Sequence, residues 1–103
     1  MELNTAFGQA LRISRQAAGR TQEDFTRISS RTYISQLERG LKSPTLEKVE
    51  ELSELLGVHP VTLVAATYLL KDQMFAGDLQ STLLQELKTL GLDGSEVCLG
   101  AGL

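Results

Sequence analysis

The sequence predicts an all-α fold of five helices with a sixth appended toward the C-terminus. Three observations carry that expectation. Apolar residues recur at three- and four-residue intervals in one segment after another. Residues suited to capping stand ahead of those segments, as at Thr21, Ser30 and Thr45, and glycines close them at Gly19, Gly40, Gly57 and Gly91. The chain has 103 residues, of which 42% are hydrophobic and 22% charged, enough for one core but not for an added sensor domain.

The first helix is expected from Asn4 or Thr5 to about Ala18, with Phe7, Ala10, Leu11, Ser14 and Ala18 on one face. Arg15 falls on that face as well, and a cation there calls for a partner. The stretch Thr21–Gly40 reads as two short helices with a tight turn between them. The first opens at Thr21, with Asp24 placed to complete a capping box, and buries Phe25 and Ile28. The second starts near Ser30, buries Ile34 and Leu37, and stops at Gly40. Its inner side also carries Glu38, the candidate partner for Arg15. Its outer face gathers Arg31, Thr32, Ser35, Gln36 and Arg39. These are hydrogen-bonding groups with little apolar surface, grouped on a short helix, as the reading of base edges requires.

A fourth helix, capped by Thr45, shows Leu46, Val49, Leu52, Leu55 and Leu56 on one side. Glu47, Glu50, Glu51 and Glu54 form a separate stripe, either a solvated face or a surface for a basic partner. Pro60 is suited to the first position of a fifth helix that runs to about Met74, with His59 as a cap or loop residue. This helix is more apolar than one core face needs. A sixth helix follows from Asp78, with Leu79, Leu83, Leu87 and Leu90 at helical intervals. Together with Leu69 and Leu70 it is expected to form a homodimer contact; the competing reading folds it back onto the monomer core. The organisation is therefore residues 1–74, a C-terminal helix over 75–91, and a flexible tail over 92–103.

Cys98 is the only cysteine, which excludes an internal disulfide and a cysteine-based metal site. It reads as a reduced thiol near the tail, with an intermolecular bridge as the alternative. No metal ligand set, cofactor motif or nucleophile–base arrangement is present, so neither a metal, a cofactor nor an enzymatic activity is expected. No apolar run approaches a bilayer span and the N-terminus lacks a basic leader, so no membrane partner is expected and the location is read as cytoplasmic.

The formal net charge of −3 argues at first against a nucleic-acid partner, but its distribution reverses that impression. Residues 1–44 carry +3 and residues 45–103 carry −6, so the positive end coincides with the paired short helices. The acidic C-terminal half could hold a protein partner.

In Gly19-Arg20-Thr21-Gln22-Glu23, Ile34-Ser35-Gln36-Leu37-Glu38-Arg39-Gly40, Pro44, Leu46 and Leu55-Leu56-Gly57-Val58, the chain resembles the XRE, or lambda-repressor-like (Cro/C1-type), helix-turn-helix family over roughly residues 4–70. The resemblance implies a five-helix lambda-repressor-like DNA-binding domain and a sequence-specific double-stranded DNA-binding transcriptional regulator, acting as a dimeric repressor. It implies base reading by Arg31, Thr32 and Gln36. Sugar-phosphate contacts would come from Thr21, Gln22, Tyr33, Ser35, Arg39, Lys42 and Ser43, with packing of the turn as the alternative for Tyr33. It also implies an internal ion pair between Arg15 and Glu38. Two other readings remain open: an antitoxin or restriction-system controller, and a protein-interaction module that has lost DNA binding. The sequence departs from the family in one place. Ile28-Ser29-Ser30-Arg31 replaces the usual turn with a shorter one that has no glycine, so the recognition helix either starts later or is swung against its neighbour.

Overall fold

The computed structural model describes residues 1–94. The expectations for Cys98 and most of the tail therefore lie outside the described residues. The fold is all-α, with α1 (Leu3–Ala17), a 3-10 turn (Gln22–Phe25), α2 (Arg31–Glu38), α3 (Leu46–Leu56), α4 (Pro60–Asp72) and α5 (Ala76–Thr89), and no strand among the described residues. The described residues divide into two compact units, Met1–Gln73 and a second that begins at Met74.

In the first unit α1 packs on α2 and α4, α3 packs on α4, and α2 packs on the 3-10 turn. The core is Phe7, Ala10 and Leu11 from α1, Phe25 from the 3-10 turn, Ile34 and Leu37 from α2, Val49, Leu52 and Leu56 from α3, and Leu63 from α4. Leu46, expected on the core face, is 83% exposed instead. As the first residue of α3 it stands at the end of the helix, where the apolar face has not yet reached the core.

The second predicted helix is one 3-10 turn followed by further tight bonds. Thr26 N–H donates to Glu23 O at 3.1 Å and Ile28 N–H to Phe25 O at 3.0 Å. This geometry answers the shortened turn. Ser30 must cap α2, which it does by accepting from Tyr33 N–H at 3.0 Å, so little chain remains for a full α-helix between Thr21 and Ser30. In a 3-10 helix side chains at i and i+3 eclipse, and Phe25 and Ile28 still reach the core together. The turn's start is tied by the Asp24 carboxylate, which accepts from Thr21 N–H at 2.7 Å. Lys48 of α3 holds its far end, donating from Nζ to Ile28 O at 2.9 Å.

Two main-chain approaches seat α2 on α1. Gly8 is buried, and a Cβ there would stand 2.5 Å from Glu38 O and 2.6 Å from Leu37 O. At the C-terminus of α2, Gly40 adopts φ +77°, and a Cβ there would stand 3.0 Å from Thr5 Cα. The helix closes in a Schellman motif, with Leu41 N–H donating to Gln36 O at 2.9 Å and Gly40 N–H to Leu37 O at 3.1 Å.

A buried carboxylate adds a polar tie at the same place. Glu38 accepts from Arg15 Nε at 2.6 Å, from Arg15 Nη2 at 3.0 Å and from the Gln22 side-chain amide at 3.1 Å. Arg15 Nη1 donates to Arg20 O at 3.0 Å. The side chains are 13% and 5% exposed. Hydrogen bonding to Glu38, opposed by burial and assisted by the Glu38 charge, raises the Arg15 pKa above its ordinary value.

α4 opens with Pro60 at its first turn and the His59 imidazole Nδ1 accepting from Val61 N–H at 3.0 Å. In the second unit α5 has no buried residue; Phe75 before it is 81% exposed and Leu90 after it 68%. No helix among the described residues is long and apolar enough to cross a membrane; α3 and α4 reach such a length only jointly, across a 103° bend.

Three substitutions test this architecture by urea denaturation. Gly8→Ala is expected to destabilise by about 1–3 kcal/mol, because the added methyl meets backbone rather than a yielding side chain. Glu38→Gln, which leaves the buried Arg15 without an opposite charge, is expected to cost about 3–5 kcal/mol. Ser53 is fully buried on α3 and its Oγ has no hydrogen-bond partner among the described residues. Ser53→Ala is therefore expected to leave the midpoint unchanged or to raise stability by about 1 kcal/mol.

Candidate nucleic-acid interface

The residues of α2, together with Arg39, which caps its C-terminus, divide between two tasks. Ile34 and Leu37 are fully buried, while Arg31, Thr32 and Arg39 are exposed and Ser35 and Gln36 half-buried on the opposite side. At about 100° per residue, positions 31, 35, 39, 32 and 36 follow one another around the outward face. The fold thus turns a continuous strip of donors and acceptors toward solvent.

Gln22, Arg31, Thr32, Ser35 and Arg39 line one open depression of about 350 Å³. It lies between the 3-10 turn and α2, the two halves of the paired motif. Gln22 is half-buried, and one of its amide hydrogens is committed to Glu38. Its carbonyl oxygen and second amide hydrogen have no other partner among the described residues. Thr21 is exposed immediately before it. Arg31 is 64% exposed in its side chain and donates from Nη1 to Glu23 Oε1 at 3.1 Å. Sequence reasoning had no signal for that pair, since it depends on how the 3-10 turn meets α2.

Other candidate residues are placed elsewhere. Tyr33 is half-buried against the core, with the Lys48 ammonium 6.0 Å from its ring centroid, and does not line the depression. Lys42 and Ser43 are exposed in the loop after α2. Ser43 borders a different, mainly apolar groove of about 130 Å³ formed with Leu3, Phe7, Val49, Val64 and Tyr68. Arg15 and Glu38 meet beneath α2, as described, where they orient the helix rather than face solvent. Of the leucines expected at a dimer contact, Leu69, Leu70, Leu79 and Leu87 are half-buried, and Leu83 and Leu90 are exposed.

The depression is lined by hydrogen-bonding groups that present two guanidinium charges. Among the described residues, no group of three or more His, Cys, Asp or Glu side chains could hold a metal ion. Such a surface can bind an anionic, hydrogen-bonding polymer through Arg31 and Arg39 and through the polar side chains between them.

Comparison with known proteins agrees with this geometry. A helix-turn-helix family model matches residues 11–63, which contain the 3-10 turn, α2 and α3 entire. An uncharacterised HTH-type transcriptional regulator, y4dJ, of Sinorhizobium fredii (strain NBRC 101917 / NGR234) is 38% identical over 69 residues, 65% of this chain and 90% of that protein. Control protein C.BamHI of Bacillus amyloliquefaciens is 36% identical over 64 residues, 59% of this chain and 79% of that protein. No solved structure gives a significant match. With the match covering both halves of the motif and most of the core beneath it, the chain belongs to the Cro/C1-type helix-turn-helix family of non-enzymatic, DNA-binding transcriptional regulators.

Proposed function

We propose that this regulator is a homodimeric repressor that reads a two-fold DNA site through the outward face of α2 and blocks a promoter by occupying it. The observation that carries the reading is the depression lined by Gln22, Arg31, Thr32, Ser35 and Arg39, which sets reading and gripping groups side by side in the basic part of the chain. Arg31 suits guanine O6 and N7, and Gln36 the adenine edge, with Thr32 between them. Thr21, Gln22, Ser35, Arg39, Lys42 and Ser43 hold the sugar-phosphate strands and so fix register. Tyr33 joins them only through its exposed edge.

Two such modules on half-sites about 34 Å apart double the contacts of one. The leucines of α5, together with Leu69 and Leu70, form the contact between copies. Supporting this is a helix with no buried residue and leucines at helical spacing. The resemblance to the control protein of Bacillus amyloliquefaciens favours a second reading, in which the chain is a restriction-system controller. A restriction enzyme or methyltransferase gene beside this one separates that reading from the first.

Selection of bound sequences from random duplex DNA, with the winner titrated across a salt series, tests the proposal. A palindromic site is expected, and an enrichment of no sequence refutes it. Arg31→Ala and Gln36→Ala should each lose about 1–3 kcal/mol of discrimination at one base pair. Lys42→Ala should weaken all sequences alike and lower the slope of log affinity against log salt by about one. For the dimer, sedimentation equilibrium of the Leu83→Asp, Leu87→Asp double variant should give a monomer where the parent chain gives a dimer.

A further inference from the structure

We infer that Glu23 is a positioning residue for base readout, holding the Arg31 guanidinium at the reading face instead of leaving it free to take any phosphate. The inference rests on the reading of Arg31 as a base contact. Arg31 is the first residue of α2, where the positive end of the helix dipole disfavours a cation. Nothing else among the described residues holds its side chain; Glu23 Oε1, 3.1 Å from Nη1, is its one partner there. That bond occupies a single N–H. The edge formed by Nε and Nη2 stays open, and it is an edge of this kind that meets two acceptors of guanine at once.

The carboxylate comes from a fixed point. Glu23 sits in the 3-10 turn, whose start is tied through Asp24 to Thr21 and whose Gln22 is tied to Glu38. The side chain of Glu23 is itself 69% exposed and has no other partner among the described residues. An anion there works against affinity, because it stands on a face that must approach phosphates. Its placement is accounted for if it acts on specificity. By satisfying part of the Arg31 charge, it lowers the gain from a phosphate contact made in any sequence context. By fixing the guanidinium, it lowers the ordering needed for the bidentate contact made in one.

The test uses the full chain, the selected duplex and the same duplex with the Arg31-dependent guanine replaced. Glu23→Gln removes the charge, and Glu23→Asp keeps it but shortens the reach by one methylene. Glu23→Gln is expected to reduce discrimination at that base pair about three- to fivefold while binding to unrelated duplex tightens. Glu23→Asp should lose discrimination to a similar extent without that tightening. Unchanged discrimination in both variants, with Arg31→Ala abolishing it, overturns the positioning role and leaves the Arg31 reading standing. An even loss at every base pair, or a lowered urea midpoint in both variants, shows a structural role and overturns the inference. If Arg31→Ala changes no base preference, the base reading of Arg31 fails and the inference with it.

Discussion

The recognition motif is organised by one carboxylate. Glu38, at the last turn of α2, accepts from Arg15 of α1 through two bonds and from Gln22 of the 3-10 turn through a third. Both halves of the motif and the helix behind them are joined at a side chain that is 5% exposed. A carboxylate in that setting is stable only with its lone pairs filled, so the three elements constrain one another. If α2 turned about its axis, Glu38 would lose Arg15; if the 3-10 turn moved away, it would lose Gln22. The outward face of α2 inherits its direction from this tie.

Much of the fold could be read from the chain because local signals repeat the tertiary answer. Ile34 and Leu37 at three-residue spacing, Ser30 before them and Gly40 after them locate α2 to within a residue. Arg15 and Glu38 were legible because a charge on an otherwise apolar face demands a partner. The 3-10 character of the first half of the motif was not legible. Phe25 and Ile28 share a face in either helix type, and only the space left between the two caps selects the tighter one. Leu46 misled for a related reason, since periodicity reports the side of a helix and not whether that end of it meets the core. The pairing of Arg31 with Glu23 is beyond any linear pattern, as eight residues and a change of helix type separate the two.

The candidate site shows the same division. The strip formed by Arg31, Thr32, Ser35, Gln36 and Arg39 follows from helical geometry alone. The entry of Gln22 into the depression beside them is a tertiary event, and so is the seating of Tyr33 against the core with Lys48 near its ring. Lys48 entered the sequence reading only as a charge. In the structure it bonds Ile28 O and lies 2.9 Å from Glu51, so part of the acidic stripe of α3 serves to place the cation that closes the turn.

The contact at Gly8 has a bearing on how such a protein can change over evolutionary time. What α2 sets against Gly8 of α1 there is its own peptide backbone, the carbonyls of Leu37 and Glu38, which every amino acid carries. Replacing an outward side chain of α2 leaves that seat untouched. The residues that choose a target can drift and be reselected without disturbing the bearing of the helix, so a duplicated copy of this chain can acquire a new operator before it must acquire any new means of folding.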